Sequence, residues 1–320
     1  MRWLFNPTQT MQGTKEIIRI PTGHSFRLLA WDETPDQVVS IASPESRTHL
    51  AGEGTHWHYH LEMELTLICR GCGTRCVGNH VDSFGPGDLV LLGERLPHYW
   101  HPNDSSSGIS VQWHFPGSHP LWAFPESASL EPFFRRASKG IRFCGRTASE
   151  TCLLLQKLPM AKPAARLATF LLILGRLMEA PPAEAIFLSG CSFDLPVDDL
   201  HQAAMSRAVR YMVANFREAI RLEDVLHLTA MSRATFARQF KIHSGRSYSD
   251  FLNQLRLKAA CQELSESSRS VVDIAYASGF SQISFFNRIF QRDLECTPSE
   301  FRRRAHAKKK QSSTEKRKRL

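Results

Sequence analysis

The sequence predicts a multidomain chain: an all-β barrel at the N-terminus, a helical connector, and an all-α C-terminal domain built on a repeated helix-turn-helix unit. Three observations predict it. Residues 16–115 are short apolar runs set between Gly, Pro, Asn and Asp. Past about residue 125 the spacing becomes helical and then gives way to a Pro-, Ser- and Asp-rich stretch. From residue 200 to about 305 the pattern is helical again, and part of it repeats itself. The expected divisions are 1–125, 126–199, 200–305 and a basic, disordered tail at 306–320.

The chain has 320 residues, enough for about two domains. It contains no apolar run of the roughly 18 residues that a membrane helix needs; "FLLIL" (170–174) is far too short. The N-terminus carries no apolar h-region and no small-residue cleavage site, so the expected location is cytoplasmic. Eight irregularly spaced cysteines read as reduced thiols. The net charge of +9 is uneven. Residues 201–320 hold 23 Lys and Arg against 11 Asp and Glu, while the first 200 hold 17 against 20. Without the tail, 201–304 still hold 16 against 10. Basic charge confined to one domain points to a polyanion, most often nucleic acid.

In the N-terminal part, "EIIRI", "SFRLLAW", "QVVSI", "ELTLI", "DLVLL" and "SVQWHF" are strand candidates. "RGCG" (70–73) and "GNH" (78–80) are expected hairpin turns, because Gly supplies positive φ. In the connector, 148–159 and 164–180 are expected helices. Leu167, Phe170, Leu171, Leu174, Leu177 and Met178 share one broad face of the second, available to the β domain or to a second subunit. Residues 181–199 read as a linker.

The C-terminal part contains a copy of itself. Asp224, Met231 and Ser232 match Asp273, Phe280 and Ser281 at a spacing of 49. One extra residue then enters the second copy, so that Arg238, Phe240 and Phe251 match Arg288, Phe290 and Phe301 at 50. Each copy reads as helix, tight turn, helix, with Ser232 or Ser281 as N-cap of the second helix. Phe236 and Phe240 point inward in one, and Phe285 or Phe286 with Ile289 and Phe290 in the other. Outward positions are Arg233, Ala234, Ala237 and Arg238 on the first, and Gln282, Ile283, Ser284, Asn287 and Arg288 on the second. Arg pairs bidentately with guanine, and Asn or Gln with adenine. Each such residue equally suits a solvated face or a phosphate contact.

These residues resemble the AraC/XylS family of bacterial transcription regulators, from "AVRYMVANF" to "TPSEFRR" (208–303). The most specific part is "DIAYASGFSQISFFNRIFQRDLECTPSEFRR". Leu226 stands where the family has a small Ala, Glu295 where it has Gly, and Gln291 where it has Lys. The resemblance implies a sequence-specific regulator of promoter double-stranded DNA, and not an enzyme. It further implies an activator that works as a homodimer, contacts RNA polymerase, and answers a small-molecule effector such as a sugar or related catabolite.

"GEGTHWHYHLEMELTLICRG" (52–71) concentrates histidine and glutamate. Strand alternation puts His58, His60 and Glu64 on one face; His56 and Glu62 share that parity, and Trp57 and Tyr59 do not. The spacing from Gly52 through these residues to Gly71 resembles the first motif of the cupin superfamily, and "FGPGDLVLLGERLPHYW" (84–100) its second. Gly93 and Arg95 replace the usual Pro and Gly. The resemblance implies that His58, His60, Glu64 and His98 are ligands wherever metal is bound, and the donor types suit Mn, Fe, Ni or Zn. Three readings stay open: a metal site, a metal-free effector pocket formed by His56, His58, His60, Glu62, Glu64 and His98, or a structural cluster. A metal-dependent cupin oxygenase or isomerase fused to a DNA-binding module is the alternative function. Trp100 and Trp113 are pocket or core aromatics. Cys69, Cys72 and Cys76, with His80 nearby, suit zinc by spacing but read equally as core thiols on strands.

Overall fold

The computed structural model describes residues 18–33, 37–51, 54, 56–196 and 198–307. Gly52 of the first motif and residues 308–320 of the basic tail lie outside them. Two antiparallel sheets form the N-terminal domain. The larger contains β1 (Arg27–Trp31), β2 (Gln37–Ile41), β3 (Arg47–Ala51), β4 (Met63–Arg70), β7 (Leu89–Leu92), β9 (Ser107–Trp113), β10 (Ile141–Phe143) and β11 (Ala185–Phe187), in the order β11-β10-β7-β4-β9-β1-β2-β3. The smaller contains β5 (Gly73–Val77), β6 (His80–Phe84) and β8 (His98–Pro102), in the order β6-β5-β8.

Alternation along the strands gives each sheet two jobs. On β4 and β9 of the large sheet, Leu65, Leu67, Val111 and Trp113 point outward into a core built with the connector helices. Their neighbours Glu64, Thr66, Ser110 and Gln112 line a cavity between the sheets. The helices that cover the outer face are α1 (Leu130–Arg136), α2 (Gly145–Lys157) and α3 (Pro163–Met178). Phe170, Leu174 and Leu177 of α3 are fully buried there, whereas Leu167, Leu171 and Leu172 are 42%, 39% and 53% exposed. The apolar face of α3 is therefore divided between core and surface.

Of three local expectations, two change. "GNH" does turn the β5–β6 hairpin, with Gly78 at φ +54°. "RGCG" does not make a hairpin: β4 and β5 belong to different sheets, and Gly71, at φ +92°, sits where the chain crosses between them. The stretch read as a linker carries β11, which pairs with β10 and extends the large sheet.

The C-terminal domain contains α4 (Gln202–Asn215), α5 (Leu222–Thr229), α6 (Arg233–Ser244), α7 (Tyr248–Glu266), α8 (Val271–Ala277) and α9 (Ile283–Leu294), and residues 298–307 are also helical. Helices α6 and α9 are 12 residues each and start 50 positions apart, whereas α5 and α8 start 49 apart. The extra residue of the second copy thus lies in its turn. Ser232 caps α6 by accepting from the Thr235 amide at 3.2 Å. Ser281 does not cap α9: with the added residue, Gln282 takes the N-cap position in extended conformation and makes no side-chain cap. Left-handed residues close the helices: Ala230 (φ +53°) after α5, Gly279 (φ +91°) after α8, Gly245 (φ +66°) after α6 and Glu295 (φ +54°) after α9. Glu295 accepts the conformation that the family gives to Gly, at a cost of about 1–2 kcal/mol.

The two domains share a core. Trp57, Cys76, Val81 and Tyr99, on the outer face of the small sheet and the segment beside it, bury against Met205, Ala208 and Met212 of α4 and Phe251, Leu252 and Leu255 of α7. Polar links flank this seam. Gln202 Nε2 donates to the Tyr59 carbonyl (3.3 Å), Tyr59 Oη to the Pro196 carbonyl (2.9 Å), and Arg246 Nε to the Asn79 carbonyl (2.6 Å). Burial and the nearby Asp199 charge both raise the Tyr59 pKa, so the phenol stays a donor. The second helix-turn-helix has its own core, with Phe280, Phe286, Ile289 and Phe290 against Leu257, Ala260 and Leu264 of α7.

Candidate functional site

The histidine cluster assembles from three pieces of chain. Glu64 stands near the start of β4 and His98 at the start of β8. His58 and His60 lie on the irregular segment before β4, fastened by a bridge in which the His58 and His98 amides and carbonyls pair at 3.1 and 2.9 Å. One ligating atom from each of His58, His60, Glu64 and His98 lies within 4.8 Å of all the others, and all four residues are buried.

The tautomers are fixed by the backbone. Nδ1 of His58 lies 2.7 Å from the His56 carbonyl, Nδ1 of His60 lies 2.9 Å from the Glu62 carbonyl, and Nδ1 of His98 lies 2.8 Å from the Leu96 carbonyl. A carbonyl only accepts, so each Nδ1 carries the proton and each Nε2 is left toward the cluster. Nε2 of His60 is 3.2 Å from Glu64 Oε2, and that of His98 is 3.8 Å from the same oxygen. Gln112 Nε2 donates to Glu64 Oε2 at 2.8 Å, and Thr66 Oγ1 donates to Oε1.

Charge is arranged to match. Burial opposes ionisation of Glu64, but the His60 bond, the fields of His98 and His60 and the Gln112 bond together hold it well below the usual carboxylate range. Burial is also the main cause that holds the His98 imidazole neutral, its pKa well below the ordinary value. One carboxylate and three imidazole Nε2 atoms, each ring oriented through its other nitrogen, fit a divalent first-row metal. The ion would supply Lewis acidity and a coordination position to a bound molecule.

Of the expected pocket residues, His58, Glu64 and His98 line the cavity; His60 does not, and neither do His56 and Glu62. The segment they occupy is not a continuous strand, so the two-residue period fails there, and both serve through their backbone carbonyls. Trp100 lines the cavity; Trp113 is a fully buried core residue against Phe170. Cys69, Cys72 and Cys76 are half-buried, exposed and buried, and are not part of the one metal-capable group found among the described residues. Their neighbour His80 faces Asp82 at 3.9 Å instead. Arg95, which stands for the usual Gly of the second motif, has φ +56°.

The positions expected to face DNA lie on two helices of the other domain. Arg233, Ala234, Ala237 and Arg238 are exposed along α6; Gln282, Ser284, Asn287 and Arg288 are exposed at and along α9, with Ile283 half-buried. Arg233 is held by Glu223 at 3.2 Å, and the Arg288 guanidinium lies 5.2 Å from the Phe285 ring centroid. Phe286, not Phe285, fills the core. The seam uses the inner side of α6 and the body of α7, so docking of the β domain leaves these residues uncovered.

Two exposed, similarly built helices on a basic domain, docked to a β domain with a cavity, define a DNA-binding regulator. A family described as a helix-turn-helix domain matches residues 225–304. Regulatory protein PocR of Salmonella typhimurium is 33% identical over 102 residues, covering 32% of this chain and 34% of PocR, about a third of that relative's length. The HTH-type transcriptional activator RhaS of Escherichia fergusonii is 23% identical over 284 residues, covering 86% of this chain and 96% of RhaS. Among solved structures, a transcriptional regulator with an AraC-type DNA-binding domain from Chromobacterium violaceum is 33% identical, covering 32% of this chain and 93% of that chain, with a TM-score of 0.31. Residues 225–304 thus match a helix-turn-helix domain family, and most of the chain is similar to a transcriptional activator. No helix among the described residues is long and apolar enough to cross a membrane.

Proposed function

We propose that this regulator holds a small effector in its β domain beside a divalent metal, and passes the state of that site to the DNA-binding helices through the seam. One observation carries the reading. On the two segments that build the cluster, cluster residues alternate with seam residues: Trp57, His58, Tyr59, His60 on one, and His98, Tyr99 on the other. A change of position at the histidines is therefore a change of position at the aromatics packed on α4 and α7. Such a shift needs an effector that binds one arrangement better than the other. In this reading residues 126–199 complete the effector domain. The exposed leucines of α3 join two copies on promoter DNA, RNA polymerase is the further partner, and the output is activation.

The test uses the full chain and DNA selected from a random pool. Metal content is measured first, in wild type and in His58→Ala. Affinity is then compared after chelation and after reloading with Zn(II). Stoichiometric metal lost in the variant, with an affinity change of about fivefold or more, supports the reading at the usual scale of allosteric coupling. Folded protein without metal, with equal affinity in both states, refutes it.

A further inference from the structure

We propose that Asp199 is a positioning residue for α6: it latches the C-terminal end of that helix to the β domain, so that the first helix-turn-helix answers to the seam while the second engages DNA on its own. The inference rests on the reading of α6 and α9 as the two DNA-contacting helices, and needs no metal.

Asp199 lies on the segment between β11 and α4, and its side chain is 9% exposed. Its Oδ1 accepts from the His201 amide at 2.7 Å. Its Oδ2 lies 2.9 Å from Nε2 of His243, a side chain 1% exposed in the last turn of α6. The Tyr59 phenol of the β domain lies beside the same carboxylate. Burial lowers the His243 pKa, and the Asp199 charge pulls against it. A carboxylate withdrawn from water is stable only where other groups meet its oxygens. Here those groups come from both domains, so the carboxylate fixes one against the other.

The residues after His243 close on the β domain as well. Gly245 ends α6 at φ +66°, and a Cβ there would lie 2.9 Å from Asn79 Cβ and 2.9 Å from Cys191 Sγ. Arg246 Nε donates to the Asn79 carbonyl at 2.6 Å. Beneath the helix, rings run from one domain into the other. Trp57 meets Phe251 at 6.5 Å between centroids, Phe251 meets Phe240 at 5.5 Å, and Phe240 meets Phe236 at 5.3 Å. Helix α6 is therefore held at its end and from below by β-domain residues.

The repeat supplies the comparison. At a spacing of 50, Asp293 and Glu295 stand where the first copy has His243 and Gly245. Asp293 takes Gln254 and Arg292 as partners, both within the helical domain, and Glu295 is exposed. The core under α9 includes no β-domain residue among the described ones. Two helices of one design thus differ in what fixes them. The β domain grips α6, whereas α9 rests on α7 and α8 alone.

The experiment uses the full chain and DNA selected from a random pool. Hydroxyl-radical footprints of wild type, Arg238→Ala and Arg288→Ala assign the half of the site that each helix contacts. Affinity is then measured for the selected DNA and for DNA with either half scrambled, in wild type, Asp199→Asn, His243→Ala and His243→Gln. Asp199→Asn keeps the shape and removes the charge. It is expected to lower discrimination at the α6 half by roughly fivefold, the scale of one hydrogen bond, and to leave the α9 half within about twofold of wild type. His243→Ala is expected to do the same. His243→Gln keeps a donor near the Nε2 position and is expected to recover most of the loss. A merely structural role would weaken both halves alike, and that result overturns the latch. Unchanged discrimination at both halves, or no recovery in His243→Gln, overturns it too. A wild type that reads neither half overturns the two-helix reading and the latch with it.

Discussion

The repeat places one position under opposite rules in its two copies, and this gives a paired prediction. Gly279 and Ala230 occupy the same turn, 49 residues apart, and both have positive φ, +91° and +53°. At Gly279 an added Cβ would lie 2.5 Å from the Phe216 carbonyl oxygen and 2.9 Å from the Arg217 Cα. Both are backbone atoms that close the end of α4, so the clash is not relieved by a rotamer change. Gly279→Ala therefore carries about 1–2 kcal/mol of left-handed strain and about 1–3 kcal/mol of overpacking. The expected loss is about 2–5 kcal/mol, in the turn that presents α9. Ala230 already bears the strain. Ala230→Gly relieves it but frees the unfolded chain, for a net gain of about 0.5–1 kcal/mol. Urea unfolding of the full chain, followed at 222 nm, reads both, and DNA affinity reads whether α9 stays in place. A Gly279→Ala change within 0.5 kcal/mol of wild type, or shifts of the same sign in both variants, would refute the geometry of the turn.

Three further outcomes are expected. Affinity for DNA should fall steeply with salt, with a log–log slope of about −0.9 for each phosphate contacted; a flat response in the full chain counts against DNA binding by this basic domain. Arg288→Ala should lose about fivefold or more in discrimination between selected and scrambled DNA; uniform weakening on both would make Arg288 a phosphate contact, as its seat over Phe285 also permits. Leu171→Glu with Leu172→Glu should convert a dimer to a monomer by sedimentation with the fold intact, since both leucines are exposed on α3; an unchanged sedimentation coefficient would place any subunit contact elsewhere.

The repeat was legible because its helices are long, periodic and duplicated, and the resemblance to known regulators rests on the same residues. The histidine cluster was legible as a set through the resemblance of two motifs to the cupin pattern. Its chemistry was not. The groups that fix the tautomers are the carbonyls of His56, Glu62 and Leu96, and a carbonyl leaves no mark in a sequence. His56 and Glu62 were expected to face inward because period-two counting assumes a continuous strand, and the chain there is held by a single bridge. Strands β10 and β11 escaped notice because three residues are too few to show alternation. They form only because each finds an edge to pair with. Glu295 is the reverse case: the departure from Gly was visible, and the chain keeps the left-handed turn regardless.

The seam gives the proposed coupling a direction. Strand β8 cannot move His98 without moving Tyr99, because consecutive residues of a strand are fixed on opposite faces. Tyr99 is in register with Cys76 of β5, and both bury in the shared core with Phe251, Leu252 and Leu255 of α7. The same helix continues into the second core through Leu257, Ala260 and Leu264. Gln254 donates to Asp293 at 2.6 Å, and Arg292 faces Asp250 at 3.5 Å, which ties α9 to α7. Reading two successive major-groove segments depends on the spacing of two helices, about 34 Å for one turn of DNA. Helix α7 sets that spacing, and the outer face of the small sheet is what it rests on. On the reading proposed above, a ligand at the cluster would act on the element that positions α6 against α9, while the exposed residues of those two helices stay uncovered by the β domain.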